Sequence, residues 1–529
     1  MTSTSQADVI VVGAGSGGCV LARRLLDAGL RVLLLEAGER DLSPLIRAPA
    51  AFPRLFRSRH DWNFHTEPQP GALGRRFYWP RGKVLGGSSA INASIWIRGS
   101  RQDFDRWGEG WTWADVLPAF RDLERYRGPA DKPQAGEPTR GMAGPLPVGA
   151  RASSHELSHA FVRSAAQALG VPEVTKFNDG ALCGAGLLES NHERGERVSA
   201  FRAFLRPVLG HPRLTVLTGA HVTELLWRGR HVTGVRVHHR GRTLDAPAGG
   251  VVLAAGAVQT PQLLLLSGVG PRAALERWGL PVRVHCPGVG EGLQDHLAVP
   301  VIFGSHRPSL EATPEWQAAA RYLWNRSGPL SSNVAEACAF WSADPTAPEP
   351  DIQFHFGPAY FRDHGFQTAP GHHFSVGPVL VAPHSRGRIT LASRNPFAAP
   401  LIDPAYLSDD RDLTRLVAGV QAARAVARTG PLGEARRFEA LPGEAVQAGA
   451  LTGYVREECA TLYHPVGTAA LGDGDEAVVD RQLAVRGAAN LWVADASVMP
   501  RIIHANTNAT SMMIGARAAE FVAAGLTGR

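Results

Sequence analysis

Cysteine is scarce and scattered. Cys19, Cys183, Cys286, Cys338 and Cys459 form no C-x-x-C pair, which argues against a structural zinc site, an iron–sulfur cluster or a disulfide framework and favours a reducing compartment. No metal is expected. Lysine is scarcer still, at Lys83, Lys132 and Lys176 only, so the net charge of +7 is carried almost wholly by arginine. The densest basic run, residues 228–242, alternates arginine and histidine with Val232, Val235 and Val237. It reads as the solvated face of a hairpin, so no nucleic-acid partner is expected. Long apolar runs are missing too. The stretch around Leu263 to Leu266 falls far short of the ~20 residues that cross a bilayer, so no integral membrane segment is expected. The first seven residues lack the positive start and apolar stretch of a signal peptide, and the chain reads as cytoplasmic.

What is present is an ordinary globular composition, 44% hydrophobic and 19% charged over 529 residues. One core stops growing near about 250–300 residues, so two lobes or more are expected. No internal repeat is evident, and the one linker-like stretch, residues 128–144, reads as a surface excursion.

Val9, Ile10, Val11 and Val12 form a β-branched run, followed by Gly13-Ala14-Gly15-Ser16-Gly17-Gly18 and by apolar residues at helical spacing. This is strand, tight glycine turn, helix. Gly13 permits the turn, Gly15 lets backbone N–H groups approach a pyrophosphate, and Gly18 lets the helix pack on the strand. A second strand ends at Glu36, where an acid grips a ribose hydroxyl. The spacing predicts a dinucleotide site, without separating NAD from FAD. Further strands are read at residues 214–217 and 222–226. Residues 251–255 read as a buried parallel strand, 491–494 as a returning strand before Asp495, and 509–524 as an amphipathic helix.

A glycine- and hydroxyl-rich segment runs from Arg81 through Gly86, Gly87, Ser88 and Ser89 to Asn92. It is suited to wrapping a second portion of a cofactor with backbone donors. This segment resembles the first signature of the glucose–methanol–choline (GMC) oxidoreductases. Residues 256–270 resemble the second, and residues 288–296, 385–387, 464–468 and 493–500 are similar to family segments in the same order. The resemblance covers essentially the whole chain. It implies an α/β and α+β fold: a Rossmann-like FAD-binding domain with an inserted substrate domain built on an antiparallel sheet. The expected division is residues 1–150, 191–296 and 462–529 for FAD, and 151–190 and 297–461 for substrate. It also implies Val222 beside the adenine and Asp495 with Ala496 near the pyrophosphate or ribityl chain.

Oxidising an alcohol requires a base, a hydride acceptor and a group that holds the oxygen. The resemblance of His464-Pro465-Val466-Gly467-Thr468 to the family motif implies His464 as base. Asn506 falls where the family carries a His or an Asn, and an Asn can only orient the oxygen. Some members attach FAD through a His just before Asn92. Here Ile91 stands there, so noncovalent FAD is expected. The expected reaction is oxidation of a small primary alcohol to an aldehyde, with oxygen, a quinone or another carrier as acceptor. The closest likeness is to the choline branch, including Tyr463, but Ala298 stands where choline enzymes carry a carboxylate. Trp62, Trp316, Trp324, Phe354, Phe356 and Tyr463 are candidates for an aromatic cage, with Phe354, Phe356 and Tyr463 lining the pocket. A hydroxynitrile lyase on the same fold is the non-redox alternative.

Overall fold

The structure, a computed structural model, describes residues 7–128, 139–151, 154–344 and 346–527. Most of the excursion expected at residues 128–144 falls outside them.

Strand β1 (Ala7–Val12), helix α1 (Ser16–Asp27) and strand β2 (Val32–Glu36) form where the β-branched run, the glycine turn and the second apolar run predict them. They begin a sheet completed by β3 (Leu214–Thr218), β4 (Ala220–Arg228), β5 (His231–His239) and β6 (Arg242–Leu253), in the order β3-β2-β1-β6-β5-β4. Its core strands β3, β2, β1 and the second half of β6 are parallel. Strand β6 serves two neighbours. Residues 242–247 pair antiparallel with β5 as the outer arm of the basic hairpin, whereas residues 248–253 run parallel to β1. The returning strand Leu491–Val493 lies parallel on its other side. The burial pattern follows this split, exposed at the hairpin end and fully buried from Val251 to Leu253.

The helix Asn508–Thr527 departs from the amphipathic expectation, because residues 509–516 are buried on every side. It packs on α1 so closely that a Cβ on Gly515 would lie 2.3 Å from the carbonyl of Gly17. A helix wedged between layers has no solvent face to show.

The second sheet is antiparallel. Its strands run in the order Arg436–Leu441, Ile302–Ser305, His373–Leu380, Ile352–Gly357, Ala337–Trp341, Gly184–Leu187. Helices Glu156–Leu169 and Asp410–Val426 cover one face. The other face looks toward the first sheet. The fold is thus a Rossmann-like sheet joined to an antiparallel, helix-backed sheet, and the chain visits both more than once.

Candidate active site

A cavity of about 730 Å³ runs between the two sheets, from Glu36 and the glycine turn to His464 and Asn506. It opens from the carboxyl ends of β1 and β2, where α/β sheets hold their ligands. Gly13 has φ +102°, and a Cβ there would lie 2.4 Å from the Ala254 carbonyl. Gly18 packs against β1, its would-be Cβ 2.0 Å from the carbonyl of Gly13. Gly15 and Ser16 line the cavity at the start of α1, which has no side-chain cap, so its first N–H groups remain free to meet an anion. The buried Glu36 accepts from the backbone of Ala14 and Gly38, each at 2.8 Å, while burial pushes its carboxyl up to about 7.

The second segment meets this turn directly. Gly86 N–H donates to Ala14 O at 2.8 Å, and a Cβ on Gly87 would lie 2.7 Å from Gly15 Cα. Gly86 therefore stands behind the cavity wall, and Gly87 and Ser88 form it. Asn92, Val222, Asp495 and Ala496 also line the cavity. The Asp495 carboxylate is already committed, accepting from Gly256 N–H at 2.9 Å, Thr260 Oγ1 at 2.6 Å and Ser497 N–H at 2.8 Å. It caps the turn that follows and ties it to residue 256, so it shapes the wall through the backbone.

At the far end His464 sits in a network that its motif does not announce. Its Nε2 lies 3.3 Å from Asn506 Nδ2, its Nδ1 lies 3.0 Å from His296 Nδ1, and its backbone N–H donates to Asp295 Oδ1 at 2.7 Å. With the Asn506 amide so oriented, Nε2 keeps its lone pair and Nδ1–H donates to His296. Burial, reinforced by His296, His355 and Arg81, holds His464 well below the ordinary imidazole range. His296 is fully buried and pushed down to about 3, mainly by burial and then by His504. Both rings are neutral at pH 7, the state a base requires. Asp295 also accepts from Tyr406 Oη and from Thr461 Oγ1 at 2.6 Å, which fixes the turn carrying His464. Arg81 reaches the carbonyl of Tyr463 at 2.6 Å. Polar atoms at the cavity wall or just behind it that make no hydrogen bond include Asn506 Oδ1, Asn508 Nδ2, His355 Nε2, Ser94 Oγ and His296 Nε2.

The aromatic wall differs from the expectation. Phe354 does not reach the cavity, and Phe356 only borders it. Side chains alternate along a strand, so in Ile352–Gly357 these two rings point to the helix layer, Phe356 stacked on Phe161 at 4.7 Å, while His355 points to the cavity. Trp316 and Trp324 are exposed on the helix Glu315–Asn325, and Trp62 lines the cavity beside His221, away from His464. Tyr463 does line it, its hydroxyl 2.7 Å from His364 Nδ1. The rings around it are Phe52, Phe56, Tyr78 and Phe361. Sequence reasoning missed these, and also His296, Asp295 and His355 as site residues. The only signal for the first two was their place in a family-like segment.

The profile of the GMC oxidoreductases matches residues 7–298 in its amino-terminal part and 383–515 in its carboxy-terminal part. The chain is 39% identical to an alcohol dehydrogenase [acceptor] of Pseudomonas putida, over 97% of this chain and 95% of that one. It is 38% identical to an oxygen-dependent choline dehydrogenase of Sinorhizobium fredii, over 98% and 95%. Pyridoxine 4-oxidase from Mesorbium loti superposes with a TM-score of 0.88 at 32% identity, covering 97% of this chain and 99% of that one. Formate oxidase from Aspergillus oryzae gives 0.91 at 28%, covering 99% of each. Two family matches that together span most of the chain, and relatives 38–39% identical over nearly its whole length, show that the chain belongs to the GMC oxidoreductases.

Proposed function

We propose that this protein oxidises a primary alcohol to an aldehyde with FAD. The observation that carries the proposal is one cavity with an uncapped helix N-terminus and a buried acid at one end and a neutral, hydrogen-bonded histidine at the other. The residues present fit FAD. Glu36, Gly13, Gly15 and Ser16 would take the adenosine ribose and pyrophosphate, Val222 would flank the adenine, and Ser88, Asn92 and Ala496 would border the flavin half. The unpartnered Asn508 Nδ2 and Asn506 Oδ1 are polar groups that a bound ring system would satisfy. FAD bound there supplies the acceptor for hydride from the alcohol carbon. The protein supplies the rest. Nε2 of His464 takes the hydroxyl proton, the Asn506 amide donates to the alcohol oxygen, and the His464 Nδ1–H bond to His296 keeps the ring turned so that Nε2 faces substrate.

The division of labour we infer assigns residues 1–150, 191–296 and 462–529 to cofactor and 151–190 and 297–461 to substrate. Ile91 is buried hydrocarbon beside Asn92, with no nucleophile for a flavin bond. The FAD is therefore noncovalent, and acid precipitation should release it completely into the supernatant. Ala298 lines the cavity and offers no charge to a trimethylammonium group, while Phe56, Phe361, Ile91 and Tyr463 offer apolar surface. This favours an uncharged aliphatic or aryl alcohol over choline.

Anaerobic mixing with choline, benzyl alcohol and a medium-chain alkanol tests the reading. The two uncharged alcohols should bleach the flavin band, and the speed of recovery in air distinguishes oxygen from a quinone or other carrier. Bleaching by choline alone would overturn the substrate assignment. Cleavage of a cyanohydrin without bleaching by any alcohol would overturn oxidation itself.

A further inference from the structure

Outside the main cavity, Asp103, Glu349 and His504 bring a histidine and two carboxylates together, their nearest polar atoms all within 4.8 Å of one another. The group borders a second cleft of about 230 Å³ between the lobes. His504 lies two residues before Asn506. Its Nδ1 donates to Asp103 Oδ1 at 2.5 Å, and its backbone N–H donates to both oxygens of the same carboxylate at 3.1 Å. Asp103 belongs to the short helix Arg101–Asp105, where its Oδ2 also accepts from Ser100 N–H at 2.8 Å. That carboxylate is saturated by its own donors, so the group reads as an ionic clamp and not as a ligand set. Glu349 comes from the connection between strands Ala337–Trp341 and Ile352–Gly357 of the antiparallel sheet. Its Oε2 lies 3.8 Å from His504 Nδ1 and 3.8 Å from Arg106, and it makes no hydrogen bond.

We infer that His504 is a positioning residue for alcohol oxidation: clamped between Asp103 of one lobe and Glu349 of the other, it fixes the strand of backbone that presents Asn506 to His464. The inference rests on the roles proposed above for Asn506 and His464. The same backbone is pinned upstream by Gln294, whose side chain accepts from Ile502 N–H at 3.1 Å and donates to Pro500 O at 3.2 Å. His504 supplies the last fastening before Asn506. Without the side-chain bond, the segment from Ile502 to Asn506 would keep only the His504 backbone bond to Asp103 as its fastening to that lobe, and a displacement of an ångström in the orienting amide costs up to about a hundredfold in rate.

The clamp is strongest with His504 protonated. Asp103 and Glu349 raise its proton affinity against the lowering effects of burial and Arg106. The other charged groups facing the cleft are largely engaged. Arg415 pairs with Asp351 at 3.0 Å and approaches His384 at 2.9 Å. Arg386 bonds two carbonyls, and Arg501 stands at the exposed rim. His296 faces His504 from the base side and is itself held neutral. His504 therefore loses its charge above pH 6.5, and the clamp weakens as pH rises.

The test uses the flavin-loaded enzyme and its variants His504→Gln, Glu349→Gln and Asn506→Ala. The rate of flavin reduction at saturating alcohol and the alcohol dissociation constant are followed from pH 5.5 to 9. His504→Gln should slow reduction about tenfold with less than a twofold change in alcohol binding. It should also remove an alkaline decline present in the parent, and add nothing further in the Asn506→Ala background. Glu349→Gln should keep the decline but move it to lower pH. A readout independent of turnover is the unfolding midpoint, which His504→Gln should lower more at pH 6 than at pH 9. Full-rate reduction by His504→Gln, or an equal loss with and without Asn506, would overturn the clamp. His464→Gln is the control: if it too reduces at full rate, the reading of the site fails and not only the clamp.

Discussion

His464 can act as a base only while neutral, and its surroundings decide that more than its residue type does. Burial comes first, then the neighbouring His296, His355 and Arg81, so the acid limb of the flavin-reduction profile should lie below pH 6.5. A parent enzyme that loses reduction on a limb centred above 6.5 as pH falls would show that another group is the base. Asn506 faces Nε2 at 3.3 Å with its Oδ1 unpaired. Asn506→Ala should slow reduction by about tenfold, the worth of one hydrogen bond to a reacting oxygen, with flavin still bound. A stopped-flow comparison at one saturating alcohol concentration checks this. Both residues were legible in the sequence through motif resemblance. His296 was not legible as their neighbour, because nothing local shows that a residue 168 positions away meets His464 ring to ring.

At the scale of elements, two apolar runs and the glycine turn between them located β1, α1 and β2 within a residue or two, although both strands are buried almost throughout, and alternation located the basic hairpin. Helical periodicity misled at the last helix, where an amphipathic face was expected and the first turns have no exposed side. Helix Asn508–Thr527 is buried around its first turns, and its small residues serve contact with α1 in place of a polar stripe. A methyl group on Gly515 would meet the Gly17 carbonyl at 2.3 Å. Gly515→Ala should therefore force the two helices apart and cost about 1–3 kcal/mol of stability. The thermal unfolding midpoint measures this, and an unchanged midpoint would mean that the interface yields freely. Strand Ile352–Gly357 teaches the complementary lesson. Alternation along a strand puts Phe354 and Phe356 on one face, but which face meets the cavity depends on where the helix layer sits, and that is a property of the sheet.

Across the whole molecule, two sheets bring together residues from the first strand to the last helix around one cavity, and that arrangement hides several uncharged histidines. Burial is the leading cause in each case: His192 and His296 are pushed down to about 3, His355 and His364 to about 4. The unfolded chain takes up these protons near pH 6.5 while the folded one does not, so stability should fall steadily as pH drops from 6.5 toward 4. An unfolding midpoint that stays level over that range would mean these rings are solvated. Among the described residues no helix is long and apolar enough to cross a membrane, as the lack of long apolar runs led one to expect. The two-lobe organisation was legible from length and motif order. The pairing of distant segments across the cavity was not, since it arises only when both sheets close on each other. The most telling experiment is anaerobic single-turnover mixing of a bleaching alcohol with the parent enzyme and with His464→Gln, both carrying flavin. Reduction in the parent and a loss of at least about a hundredfold in the variant would establish His464 as the proton acceptor, whereas equal bleaching of the two would refute it.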